Sequence, residues 1–119
     1  RVWETLGRLE MLRGEVDRAL DYLRRAAQMQ QQLGDVIGLA RSTGGLAKLL
    51  AEAGRSDEAL AVLGDSIALN QIKGAQRGLG YNAEALETIE RSLTAGDRQR
   101  LAETLVRLKG RLEAALTRE

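Results

Sequence analysis

The side chains that most often carry chemistry are scarce in this sequence. Its 119 residues include no Cys and no His, which excludes thiol nucleophiles, His-based triads and the usual zinc ligand sets. The acidic pair Glu84 and Glu87 could act as general acid and base, but acids at this spacing are common on exposed helix surfaces. Since no nucleophile is accompanied by a base, we expect no catalytic activity, no cofactor and no metal site.

A glycine-rich segment could be expected to cradle a phosphate group: Gly74-Ala75-Gln76-Arg77-Gly78-Leu79-Gly80. A phosphate-binding loop follows a strand and ends in Lys followed by Ser or Thr, and this segment has neither feature. Gly74 and Gly78 also recur 40 residues after Gly34 and Gly38, which gives them a structural explanation. We therefore expect no nucleotide site.

Charge and composition provide little attraction to nucleic acids or membranes. The 18 Lys and Arg residues nearly balance the 17 Asp and Glu residues, so the formal net charge is +1. Aromatic residues make up 3% of the chain, which argues against a stacking platform for single-stranded nucleic acid. No apolar run approaches the roughly 18 residues of a membrane span. We predict a protein or peptide partner, and the lack of Cys is compatible with a cytoplasmic location.

The sequence repeats itself with a period of 40 residues. Gly, Asp, Ala and Leu coincide when residues 14–20 are shifted onto residues 54–60. The same shift relates Leu6 to Leu46, Leu9 to Leu49, Leu23 to Leu63 and Gly34 to Gly74. A repeat of this length indicates a solenoid. We predict one domain of three repeats, at about 1–33, 34–73 and 74–117, belonging to a longer protein.

Each repeat has the pattern of two helices. Apolar residues recur every three or four positions in six stretches, which predicts an all-α fold of six helices. Glycines are expected at the turns, where the chain needs a positive φ: Gly14, Gly54 and Gly96 within the repeats, Gly34 and Gly74 between them. Carboxylates are expected at or near helix starts, where they face the positive end of the helix dipole: Asp17, Asp57 and Asp97.

The first repeat carries a known signature. Tetratricopeptide repeats show W-x2-L-G-x2-Y, then A-x3-F and a further Ala, and this chain has Trp3, Leu6, Gly7, Ala19, Leu23 and Ala26. The chain therefore resembles the tetratricopeptide repeat family along essentially its whole length, with Glu10 in place of the usual Tyr. The repeat is 40 residues long, and 42 where two extra residues precede the last turn, as the spacing of Gly54 and Gly96 shows. This length resembles the longer-helix subclass found in kinesin light chains and bacterial peptide-sensing regulators.

The resemblance implies a right-handed superhelix whose first helices line a concave groove that binds a peptide or helix of a partner. The groove residues it implies are Glu4, Arg8, Met11, Arg41, Gly44, Lys48, Glu52, Tyr81, Glu84, Thr88 and Arg91. Arg8 and Lys48, which the shift of 40 relates, could hold a carboxylate or be solvated surface charges. The Lys/Asn/Arg set that clamps a C-terminal carboxylate in some family members is not matched, because Glu4 occupies one of its cation positions.

The two ends of the chain suggest an alternative function, self-association. Residues 34–39 have no counterparts before Arg1, so the first helix is predicted to lack its beginning and to leave an apolar face uncovered. The last helix has a line of leucines that could be a terminal cap or a dimer seam: Leu101, Leu105, Leu108, Leu112 and Leu116. In this alternative the chain forms a homodimer through a terminal face.

Overall fold

The computed structural model describes the backbone of residues 2–117 and the side chains of residues 14–117. This part of the chain is almost entirely helical and contains no strand. Its helices are α1 (Val2–Leu33), α2 (Val36–Glu52), α3 (Ser56–Lys73), α4 (Gln76–Ser92), α5 (Ala95–Arg100) and α6 (Ala102–Leu116). The all-α fold that the periodicity predicted is confirmed.

The first three helix junctions share one geometry. Gly34, Gly54 and Gly74 have φ angles of 72°, 78° and 61°. The residue after each glycine donates its N–H to a carbonyl oxygen five residues earlier: Asp35 to Gln30 at 2.8 Å, Arg55 to Leu50 at 2.8 Å and Ala75 to Asn70 at 2.9 Å. This arrangement satisfies the last carbonyl groups of each helix. The predicted turns at these three glycines are confirmed.

The predicted turn at Gly14 is wrong, because α1 continues through it as a single helix. A glycine inside a helix costs only about 1 kcal/mol relative to alanine, and good helix formers flank Gly14 on both sides. Only packing of a second helix could offset the backbone hydrogen bonds that a turn would remove, and the continuous α1 keeps those hydrogen bonds. Asp17 accordingly lies inside a helix, whereas Asp57 lies in the first turn of α3.

The last turn of the chain precedes Gly96. Leu93 is extended, with ψ at 141°, and Thr94 caps α5 by accepting a hydrogen bond of 3.1 Å from the Asp97 N–H. Gly96 therefore lies in the first turn of α5, and its predicted role as the turn residue is wrong. The single last helix that the sequence predicted is interrupted at Leu101, between α5 and α6.

The helices pack side by side into an elongated slab of 55 × 36 × 18 Å. Helix α2 contacts α1, α3 and α4, and α6 contacts α3 and α4. The core is largely leucine and isoleucine, and its bulkiest members are Leu20, Leu46, Leu50, Leu60, Leu63, Ile67, Leu79, Leu86, Ile89, Leu93, Leu101, Leu105, Leu108 and Leu112. Of the leucine line, Leu101, Leu105, Leu108 and Leu112 pack within their own chain, whereas Leu116 is 37% exposed. The four buried leucines favour the terminal cap over the dimer seam.

Candidate binding groove

A cleft of about 530 Å³ opens between α2 and α4, the first helices of two successive helical hairpins. This α2–α4 groove is lined by Ile37, Ala40, Arg41, Gly44, Gly45, Lys48, Asn70, Ala75, Gln76, Arg77, Gly78, Tyr81, Asn82 and Ala85. Small residues create its space, since Gly44, Gly45 and Gly78 have no side chain and Ala40 and Ala85 have only a methyl group. The groove therefore forms because the facing sides of α2 and α4 carry small residues.

A chain of buried hydrogen bonds runs beneath the groove. The Ser66 hydroxyl donates to the Ala40 carbonyl oxygen at 2.6 Å, and the Asn82 amide donates to the Ser66 hydroxyl at 2.9 Å. The Asn70 side-chain amide donates in turn to the side-chain oxygen Oδ1 of Asn82 at 2.7 Å. These bonds link α2, α3 and α4 and so fix the separation of the groove walls, because a buried polar group left without a partner is costly.

Gly78 allows α4 to lie directly against α3. A Cβ atom at this position would collide with the side-chain amide of Asn70. On the opposite wall, a Cβ atom on Gly44 would lie 3.4 Å from the Ser66 hydroxyl oxygen, at the edge of ordinary van der Waals contact. The two glycines therefore make room both for the groove and for the hydrogen bonds beneath it.

Among the residues whose side chains the structure describes, those that line the α2–α4 groove carry positive charge only. Arg41, Lys48 and Arg77 line it, and no Asp or Glu in the range 14–117 does. All three side chains are exposed, and none forms an ion pair with another residue in the range 14–117. An anionic ligand would therefore displace water from these cations and would not compete with a carboxylate of the described residues.

The mouth of the groove adds apolar surface and a helix end. Ile37 and Tyr81 are exposed on its two sides. The residue preceding α4, Ala75, offers no side-chain cap, whereas Asp35 caps α2 by accepting a hydrogen bond of 2.9 Å from the Gly38 N–H. The first N–H groups of α4 consequently lack a side-chain acceptor, and the helix dipole adds partial positive charge at that end.

The groove includes four of the residues that the sequence singled out: Arg41, Gly44, Lys48 and Tyr81. Four others do not line it: Glu52, Glu84, Thr88 and Arg91. Glu52 is the last residue of α2, and Thr88 and Arg91 follow the last lining residue of α4, Ala85. Glu84 stands between the lining residues Asn82 and Ala85 but does not itself line the cleft. Glu4, Arg8 and Met11 lie outside the residues whose side chains the structure describes. The repeat shift indicates which face of a helix is used but not how far along it a cleft extends.

Several groove residues were missed by sequence reasoning: Ile37, Asn70, Gln76, Arg77 and Asn82. Arg77 precedes Tyr81 by one helical turn and is the counterpart of Ile37 under the shift of 40. Extending the predicted face one turn toward the helix starts would have found both. Asn70 comes from the second helix of a hairpin, which the family resemblance does not place in the groove.

A smaller cleft of about 320 Å³ lies between α4 and α6. Its lining is partly apolar, and its charged residues are Glu87, Glu90, Glu113 and Lys109. The single cation is already paired, since the Lys109 Nζ atom lies 2.6 Å from a carboxylate oxygen of Glu90. The two clefts thus differ in charge, and only the α2–α4 groove suits an anionic ligand.

Two further observations concern the described residues. No group of three or more His, Cys, Asp and Glu residues among them could hold a metal ion. None of their helices combines the length and apolar character needed to cross a membrane.

Hydrogen bonds from Arg100 to Asp57 at 2.7 Å and to Asp97 at 2.8 Å raise the pKa of Arg100 and tie this exposed guanidinium to α3 and α5.

Comparison with known families agrees with this architecture. A family model described as tetratricopeptide repeat matches residues 1–72, more than half of the 119 residues. The matched segment covers α1, α2 and nearly all of α3, and it includes the Trp3, Leu6 and Gly7 signature. Neither a curated protein nor a solved structure matches the chain significantly. The family match and the stacked helical hairpins together establish that the chain belongs to the tetratricopeptide repeat family.

Proposed function

We propose that this chain binds an acidic peptide segment of a partner protein in the α2–α4 groove. Tetratricopeptide repeats are in general protein–protein interaction modules. The observation that carries the proposal is the charge of the groove, where Arg41, Lys48 and Arg77 lie without a carboxylate from residues 14–117. The partner's Asp or Glu side chains would supply the missing negative charge through charge-assisted hydrogen bonds.

The dimensions of the groove support an extended peptide. Its lining on α2 runs from Ile37 to Lys48, a distance of about 17 Å at 1.5 Å per helical residue. An extended chain rises by about 3.3 Å per residue, so about five peptide residues span this length. Apolar side chains of the peptide would contact Ile37 and Tyr81, while its carboxylates would face the three cations.

Fluorescence anisotropy with a synthetic probe tests this proposal. The probe is a fluorescein-labelled peptide of alternating Glu and Leu, and its twin has Lys in place of every Glu. We expect the chain to bind the acidic peptide and not the twin. The affinity should fall as NaCl is raised, because the Debye length shortens from about 10 Å at 0.1 M to about 3 Å at 1 M. Equal binding of both peptides would contradict the proposal.

Two double variants distinguish binding in the groove from binding that depends only on the net charge of the chain. Arg41→Glu with Lys48→Glu reverses two groove charges, and Arg24→Glu with Arg107→Glu reverses two exposed charges elsewhere. Both variants have the same net charge. We expect the first to weaken binding about tenfold or more, and the second by less than about twofold. Equal losses, with unchanged circular dichroism, would show that the groove is not the binding site.

The remaining expectations are part of the same proposal. Repeats of this family are generally non-enzymatic scaffolds, and we propose that this chain likewise acts by binding and not by catalysis. We retain three repeat units at about 1–33, 34–73 and 74–117, with α2–α3 and α4–α6 forming the second and third. The lack of Cys is compatible with a cytoplasmic site of action.

A further inference from the structure

One flank of α1 is less covered than the same flank of α3. Four residues of α3 are each 0% exposed: Ala59, Leu63, Ser66 and Ile67. Their counterparts under the shift of 40 are only half-buried: Ala19, Leu23, Ala26 and Ala27. Leu20 and Leu60, which are also counterparts, are both 1% exposed. The lower burial of α1 is therefore limited to one side of the helix.

Equivalent hydrogen bonds identify the neighbour that α1 does have. The amides of Asn70 and Asn82 are 2.7 Å apart and join α3 to α4. At the equivalent positions, the amide of Gln30 and the hydroxyl of Ser42 are 2.7 Å apart and join α1 to α2. Helix α2 therefore packs on α1 in the same way that α4 packs on α3.

The other neighbour of α3 identifies the helix that α1 lacks. Helix α2 covers the second side of α3, where Ser66 donates to the Ala40 carbonyl oxygen at 2.6 Å. Under the shift of 40, the counterpart of α2 is the segment that precedes Gly14. The packing of α2 on α3 therefore shows how residues 2–13 would cover the flank of α1.

The continuous α1 directs residues 2–13 away from this flank. Helix α1 has 32 residues, about 48 Å at 1.5 Å per residue, whereas α2 has 17. Helix α2 runs antiparallel to α1, with Ser42 beside Gln30 and Gly45 beside Leu23. The seven residues that follow Gly45 in α2 therefore reach only about as far as Val16. Residues 2–13 consequently extend past the end of α2, and a continuous helix cannot fold back onto its own side.

Exposed apolar side chains border the uncovered flank. Tyr22, Met29 and Leu33 are 73%, 62% and 76% exposed, and their spacing of seven and four residues places them on one side of α1. Large apolar side chains exposed on one side of a helix are available to pack against another helix. The sequence of residues 2–13 supplies apolar residues at helical spacing in Val2, Leu6 and Leu9.

We propose that residues 2–13 of a second copy cover this flank, and that two copies exchange these segments reciprocally in a domain-swapped dimer. Each copy has one displaced helix and one uncovered flank, so a two-fold exchange satisfies both. The exchange repeats the packing of α2 on α3 and keeps the backbone hydrogen bonds of α1 through Gly14. The occupant is therefore a helix of this same sequence, bound outside the α2–α4 groove.

Sedimentation equilibrium gives the first test. We expect the chain, of mass 13.0 kDa, to sediment at tens of micromolar with twice that mass. A single species of one-chain mass across that range would overturn the proposal. Three additional glycines between Arg13 and Gly14 should let the segment fold back onto its own chain, which would return the mass to that of a monomer.

Cross-linking identifies the segment and the flank. Glu4 and Ala26 are the counterparts of Gly44 and Ser66, and a Cβ atom on Gly44 would lie 3.4 Å from the Ser66 hydroxyl oxygen, which suits a disulfide. The chain has no native Cys, so E4C and A26C supply the only thiols. Mixing the two single variants under oxidising conditions should give a covalent dimer that contains one chain of each variant.

The controls make each outcome decisive. E4C mixed with Q28C, which lies on the other side of α1, should give at least about tenfold less of the mixed dimer. A double E4C/A26C chain whose disulfide forms within one chain would show a folded-back hairpin and overturn the exchange. Equal cross-linking to A26C and Q28C would show random collision and overturn it as well. Circular dichroism before oxidation confirms that the variants retain their helices.

Discussion

Asn82 and Ser66 are buried side chains on neighbouring helices, and the Asn82 amide donates a hydrogen bond of 2.9 Å to the Ser66 hydroxyl. Through Ser66 the bond reaches the carbonyl oxygen of Ala40, at 2.6 Å. One wall of the α2–α4 groove is thereby tied to the other through α3. The polar residues beneath the groove therefore hold α2, α3 and α4 together. By doing so they also fix the distance between the two walls of the groove.

Ser66→Ala should lower the free energy of unfolding by about 1–3 kcal/mol, because it removes the hydroxyl that accepts a hydrogen bond from the buried Asn82 amide and donates one to α2. Ser92→Ala is the matched control, since its hydroxyl is exposed and bonds within its own helix turn, and its effect should stay within about 0.5 kcal/mol. Urea denaturation measures both. Equal effects would show that the buried hydrogen bonds add nothing beyond local helix preference.

Two glycines of α4 should respond oppositely to alanine. Gly78→Ala places a methyl group against the Asn70 amide, which its own hydrogen bonding holds in place, and should destabilise the chain by about 1–3 kcal/mol. Gly80→Ala meets no atom within 4 Å and should stabilise the chain by about 0.5–1 kcal/mol through helix propensity. Thermal unfolding of the two variants should give shifts of opposite sign, and a shift of the same sign would contradict the tight contact at Gly78.

Gly54 and Gly14 occupy equivalent sequence positions but different backbone conformations. Gly54 has a φ of 78°, so Gly54→Ala should cost about 1 kcal/mol. Gly14 lies inside α1, with no atom within 4 Å of an added Cβ, so Gly14→Ala should be stabilising by about 0.5–1 kcal/mol. Equilibrium unfolding in urea distinguishes the two. A clear loss of stability on Gly14→Ala would support a turn at this position and a folded-back first segment.

The fold was predictable because each level of the sequence indicates the same structure. The 3.6-residue periodicity predicts helices, and Gly34, Gly54 and Gly74 end them where a left-handed residue is required. Gly14 was not predictable from the repeat alone. A glycine permits a turn without forcing one, and the outcome depends on whether the packing of the second helix offsets the lost backbone hydrogen bonds.

The candidate site was predictable in part. The family resemblance indicated the face of α2 that carries Arg41 and Lys48, because the repeat shift fixes rotation about a helix axis. It did not indicate where along the axis the cleft lies, which depends on the small residues that leave space between two helices. It also did not indicate Asn70, since that residue reaches the groove from α3 through a long-range contact.

Arg77 provides the sharpest comparison between the groove of the structure and the groove expected from sequence. Arg77 lines the cleft at the start of α4, whereas Glu84 and Thr88 lie outside it. Arg77→Gln should weaken binding of the acidic probe peptide about fivefold, the equivalent of about 1 kcal/mol for one exposed charge contact. Glu84→Gln and Thr88→Ala should change it by less than about twofold, since neither side chain lines the cleft and both are exposed to water, which weakens the effect of a single charge. Anisotropy titrations of the three variants distinguish the groove seen in the structure from the groove expected from sequence. Stronger effects at Glu84 and Thr88 than at Arg77 would place the peptide in the second half of α4 and contradict the cleft as its binding site.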